Sequence, residues 1–97
     1  MTPLAPLVTR FSRHHLAVEK GASQHTIASY SYAFKFLCRY VSNRLGKTPS
    51  ALALEDLDAH MIRDHLAHLE SDCRNTPRTR KLRLTAIRSF MKYVEYE

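Results

Sequence analysis

Seven basic residues and no acidic one lie between Arg74 and Lys92. Lysine and arginine at that density suit one kind of chemistry. They neutralise phosphates and release the counterions that a polyanion carries, an affinity term that needs no particular base sequence. The rest of the charge is also uneven. Residues 1–54 hold seven basic groups against Glu19 alone, residues 55–72 hold six acidic groups against Arg63 alone, and the formal net charge is +6. The acidic segment is therefore the side least suited to an anion. Charge alone leaves two readings open: a nucleic-acid surface, or an ordinary solvated cationic face.

Other constellations offer less. His65 and His68 stand three apart, with His60 and Asp64 nearby. That spacing can bring two metal ligands together on a helix, but no third ligand is indicated, so packing for His65 and solvent for His68 are the better assignments. No cofactor is called for. His60-Met61-Ile62-Arg63 imitates the His-x-x-Arg of a phosphoryl-transfer site, and Tyr93 or Tyr96 could pass for its nucleophile. Such a site must collect positive charge, whereas this one lies in the acidic segment. No glycine-bounded serine turn indicates a hydrolase. Cys38 and Cys73 make neither a disulfide framework nor a Cys-x-x-Cys pair, which fits a reducing cytoplasm. No apolar run has the length of a signal peptide or reaches ~18 residues, so neither secretion nor a membrane partner is expected.

These side chains need elements to hold them. The 97 residues allow one small domain, 1–97, with an apolar content of 44% and a charged content of 25% that suit a folded globule. Gly21 and Gly46 each follow a stretch that reads as helix, where a left-handed residue closes the element. A first helix is expected from Pro3 to about residue 20, with Leu4, Leu7, Phe11 and Val18 on one face. The second starts at the cap Ser23 and repeats Ile27, Tyr30, Phe34, Leu37 and Val41 at steps of three and four. Thr48-Pro49-Ser50 is loop chemistry. Asp58 then caps a third helix over about 59–70, with Ile62, Leu66 and Leu69 inward, and Thr76-Pro77 opens a fourth. The fold class is all-α: four helices in an orthogonal bundle with short connections and no strand.

At ~100° per residue, Leu84, Ile87, Met91 and Val94 share one face of the fourth helix, with Phe90 at its flank. Arg78, Lys81, Arg88 and Lys92 fall on a second face roughly 120° away. Arg80 lies on the apolar face, where its stem can pack while its charge reaches water, and Leu82 lies opposite. On the second helix His25, Ser29, Tyr32, Phe36 and Arg39 lie opposite the core, with Lys35 beside them. Hydrogen-bonding groups near a helix start, beside aromatic and cationic side chains, suit a major groove and its phosphates. Burial under a neighbouring helix is the other reading, and the better one for Phe36.

The order Ser23-x-x-Thr26-x-x-Ser29-Tyr30, then Phe34, Leu37 and Val41, then the helix from Leu57 to Leu69, then Thr76-Pro77-Arg78-Thr79 leading to Leu84-x-Ala86-Ile87-Arg88-Ser89-Phe90 resembles the N-terminal core-binding domain of tyrosine recombinases. That SAM-like four-helix unit occurs in phage integrases and in Xer-type and transposon-encoded recombinases. The resemblance covers nearly the whole chain, and its strength lies in the order of the elements. It departs from the family pattern at Arg80, where an apolar residue is usual, and at His65, where an aromatic is usual.

The resemblance implies half of a C-shaped clamp on duplex DNA, with the second and fourth helices against the major groove. By position, His25, Thr26, Ser29, Arg78, Thr79 and Arg83 become groove-facing candidates. Lys81, Arg88 and Lys92 become phosphate candidates, Lys35 a further DNA contact and Arg74 a loop charge. The family's catalytic arginines, lysine, histidine and tyrosine belong to a separate C-terminal domain with no counterpart here, so the chain is expected to be an inactive fragment of an enzyme. The parent would act as a tetramer on a recombination synapse, and the isolated domain could be monomeric. The competing classes are a helical protein-interaction module and a free-standing helix-turn-helix regulator.

Overall fold

The computed structural model describes residues 2–71 and 76–95; the expectations for Arg74, Cys73 and Tyr96 lie outside the described residues. Helix α1 (Leu4–Arg10) runs directly into a π-helical segment (Phe11–Glu19), followed by α2 (Gln24–Leu45), α3 (Ala59–Ser71) and α4 (Pro77–Glu95). Among the described residues the architecture is all-α with four helices. Two short 3₁₀ turns, Pro49–Ala51 and Leu54–Asp56, precede α3.

Local chemistry explains the helix ends. Ser23 Oγ accepts the Thr26 N–H at 3.2 Å, Asp58 Oδ1 the Met61 N–H at 2.8 Å, and Thr76 Oγ1 the Thr79 N–H at 3.2 Å. Each satisfies a donor that the first helical turn leaves orphaned. Gly46, at φ 67°, closes α2 by donating its N–H to the Ser42 carbonyl, in a left-handed geometry that a Cβ would disfavour.

The first helical stretch departs from its expected phase. Phe11 and Leu16 are buried, whereas Val18 is 68% exposed. An α-helix would return Val18 to the face of Phe11. The wider π winding instead brings His15 and Leu16 round to it, and the Lys20 N–H bonds five residues back to the His15 carbonyl at 2.9 Å. Phe11 becomes the hub of the core, with ring centroids 5.3–6.2 Å from those of His15, Tyr30, Phe34, Phe90 and Tyr93.

Helix α4 is also turned relative to expectation. Its buried residues are Ala86, Ile87, Phe90 and Tyr93, while Leu84, Met91 and Val94 are half-buried. The inward face is rotated toward Phe90 because α4 packs against α2 as well as α3. In α3, Leu69 and His65 are buried and Ile62 and Leu66 half-buried. The one bridge among the described residues clasps the chain's start to the 52–55 segment. The Leu4 N–H bonds to the Leu52 carbonyl (3.0 Å) and the Leu54 N–H to the Thr2 carbonyl (2.7 Å).

Candidate nucleic-acid interface

Thr26 and Thr79 occupy equivalent positions, three residues after the caps Ser23 and Thr76. Each hydroxyl is in hydrogen-bond contact with its cap's hydroxyl at 3.1 Å. The caps therefore fix where α2 and α4 begin and how their first turns are presented. His25, Thr26, Ser29 and Lys35 are exposed on α2, as are Arg78, Lys81, Arg88 and Lys92 on α4. Thr79 and Arg83 are half-buried. Tyr32, at 58% exposure, stands on the outer side of α2 and packs under no neighbouring helix.

Three carboxylates of the acidic segment have basic partners. Asp64 pairs with Arg44 (2.6 Å) and His60 (3.3 Å), Asp56 with Lys47 (3.4 Å), and Glu70 with Arg80 (3.1 Å). Both oxygens of Glu55 accept the Thr2 N–H at 3.1 Å, and hydrogen bonds from its own backbone and from Thr2 hold this carboxyl below its ordinary pKa. Arg80 thereby gains a place. Its stem lies on the inward side of α4 and its guanidinium reaches the end of α3. Arg44, Lys47 and Arg80 are committed to these pairs, whereas no ion pair joins the exposed α4 cations to an acid among the described residues.

His65 is 1% exposed, its ring 5.2 Å from Tyr40 and neither nitrogen hydrogen-bonded. Burial, then the charges of His68 and Arg83, lower its pKa from 6.5 to about 4. The unfolded chain takes up this proton first. Stability is thus complete above pH 6.5 and is lost as pH falls toward 4, by on the order of 3 kcal/mol. Urea unfolding midpoints measured across that window should fall more steeply for the parent than for His65→Phe. Equal slopes would remove His65 from the account. His68 is half-buried with its ring 5.0 Å from Tyr40, rather than turned to solvent as expected. Among the described residues, no three potential ligands are placed to hold a metal ion.

Phe36 is half-buried at the seam of α2 and α4. The guanidinium carbon of Arg83 lies 4.6 Å from its ring centroid and that of Arg39 lies 5.7 Å away. Arg83 thus lies against α2 at the seam of the two helices. The i, i+3 spacing of Phe36 and Arg39 is visible in the chain, but the approach of Arg83 depends on how two helices pack. Toward α3, α3 and α4 bound an open groove of about 570 Å³, lined by Ile62, Leu66, Leu84 and Met91, with Arg88 and Lys92 of the exposed α4 cations among its lining residues.

Comparison with known proteins places this arrangement. The family model described as phage integrase, N-terminal SAM-like domain, matches residues 8–97. The y4rC protein of Sinorhizobium fredii, whose name is that of an integrase/recombinase, is 43% identical over 97% of this chain and 28% of its own length. The tyrosine recombinase XerC of Pelobacter propionicus is 34% identical over 97% of the chain and 29% of its own length. The XerC of Myxococcus xanthus is 37% identical over the same shares. The chain thus spans less than a third of the length of these relatives. No solved structure matches it significantly.

Proposed function

Because the chain belongs to the family of phage integrase N-terminal SAM-like domains, the N-terminal unit of tyrosine recombinases, we propose that it binds duplex DNA through the outer faces of α2 and α4. One observation carries the reading: acids and bases pair along the α3 side, while Arg78, Lys81, Arg88 and Lys92 stand exposed on α4 without a carboxylate partner among the described residues. Unpaired cations along a helix neutralise phosphates without first breaking an ion pair. His25, Thr26, Ser29 and Thr79 sit near helix starts, where short polar groups can meet base edges. In a longer recombinase this unit would hold one recombination half-site in the cytoplasm and help assemble a tetramer. Strand breakage and rejoining would fall to a catalytic domain outside this segment.

Fluorescence anisotropy with a labelled duplex tests the reading. Binding is expected in the range ~10⁻⁴–10⁻⁶ M at physiological salt, with log K falling linearly against log salt. Four α4 contacts together with Lys35 would give a slope of about −4.5. No binding at low salt, or binding indifferent to salt, would overturn it. The α3–α4 groove favours a second reading, an apolar helix of a partner protein. Such a partner would be captured unchanged in the presence of excess duplex.

A further inference from the structure

We infer that Arg39 and Arg83, gathered on the Phe36 ring where α2 meets α4, form a clamp for one backbone phosphate of duplex DNA. The clamp deepens the DNA-binding reading above and rests on it. It adds two side chains, Arg39 and Phe36, to the candidate surface, and gives Arg83 a phosphate to hold in place of a base.

Both guanidinium carbons lie within 6 Å of one ring centroid, at 4.6 Å and 5.7 Å. An aromatic face attracts each cation and restricts its orientation. It supplies neither cation with a counter-charge. On the α3 side cations have carboxylate partners: Arg44 has Asp64, Lys47 has Asp56 and Arg80 has Glu70. No described carboxylate pairs with Arg39 or Arg83. An anion that touches both would supply the missing counter-charge.

Phosphate suits the position. A guanidinium presents a rigid planar fork that matches two phosphate oxygens. Phe36 pre-orders both forks, so less side-chain freedom is lost on binding. Arg39 is exposed and Arg83 half-buried, with Nε of Arg83 sealed off and without an acceptor. A recessed guanidinium of this kind is poorly placed to reach a groove floor but can meet a backbone that passes over the seam. Phe36 and Arg39 share the outer face of α2 with His25, Ser29 and Tyr32, so a duplex lying on those residues would pass the clamp. The positive charge of Arg83 is also felt inside the fold, where it helps keep His65 neutral.

The test compares the parent with Arg39→Gln/Arg83→Gln on a set of duplexes, each carrying one neutral methylphosphonate in place of a phosphate. For the parent, each contacted phosphate should weaken binding when neutralised, and the position held by the clamp by roughly tenfold or more. The double variant should bind the unmodified duplex weaker by a similar or larger factor, lose about 0.9 from the magnitude of its salt slope, and be indifferent to methylphosphonate at that position. Arg39→Gln alone changes an exposed residue and should move the same readouts in the same direction with the melting temperature held. Phe36→Leu should weaken binding while leaving the salt slope unchanged, because both charges remain. If parent and double variant give the same slope and the same methylphosphonate profile, the clamp is wrong while DNA binding stands. If the parent binds none of the duplexes, the DNA-binding reading itself has failed.

Discussion

Converting Arg78, Lys81 and Arg88 together to glutamate should abolish duplex binding while leaving the helical fold intact. Each reversal subtracts two charges, so the three take the formal net charge from +6 to 0. Charge-assisted contacts contribute about 1.5–3 kcal/mol each, so losing three weakens binding by roughly a thousandfold or more. Starting from a micromolar complex, that lies beyond detection. All three side chains are exposed and make no ion pair among the described residues, so no internal partner is stranded. Glutamate at 78 even places a negative charge in the first turn of α4, where the helix dipole favours it. Neutral protein is prone to self-association, so a glutamine triple should accompany the glutamate triple. It should keep its melting temperature and show a salt slope smaller in magnitude by about 2.7, three contacts at 0.9 each. A folded glutamate triple that binds DNA as well as the parent would show that α4's outer face is not the interface.

The features legible in the chain were those encoded by near neighbours. Ser23, Asp58 and Thr76 cap the helices they were expected to cap, because a cap is a hydrogen bond to a backbone N–H three residues on. The inward row of α2 was legible for the same reason: Phe34, Leu37 and Val41 repeat at helical spacing and are all buried. What escaped was set by packing between elements. A fixed 3.6-residue period carries Val18 inward, and only a segment wound as a π-helix exchanges it for Leu16. The partner of Arg80 sits on another helix, ten residues back. Arg83 follows the same logic. Its place over the Phe36 ring depends on the approach of α2 to α4, which no spacing in the chain encodes. The α4 cations needed no tertiary information, since an exposed face that nothing covers keeps the pattern its sequence gives it.

Phe11→Ala should produce the largest loss of stability of any single change in this chain. The side chain is fully buried, and its ring lies within 6.2 Å, centroid to centroid, of five other rings contributed by the π-helical segment, α2 and α4. Truncating a buried phenylalanine costs about 3–5 kcal/mol, from lost transfer energy and from a cavity that rigid neighbours only partly fill. A domain of this size has about 5–15 kcal/mol in total, and each kilocalorie moves the melting temperature by roughly 4–8 °C. A drop of roughly 15–30 °C is expected by circular dichroism. Phe11→Leu keeps much of the volume and should lose far less, which separates the cavity from a general intolerance of change. The consequence extends to binding, because Phe11 ties α2 to α4 and so fixes the spacing of the two faces that would meet DNA. Near the alanine variant's midpoint, duplex should raise its melting temperature by mass action, since only the folded form presents both faces. A Phe11→Ala variant that melts within a few degrees of the parent would mean that the ring cluster does not hold these helices together.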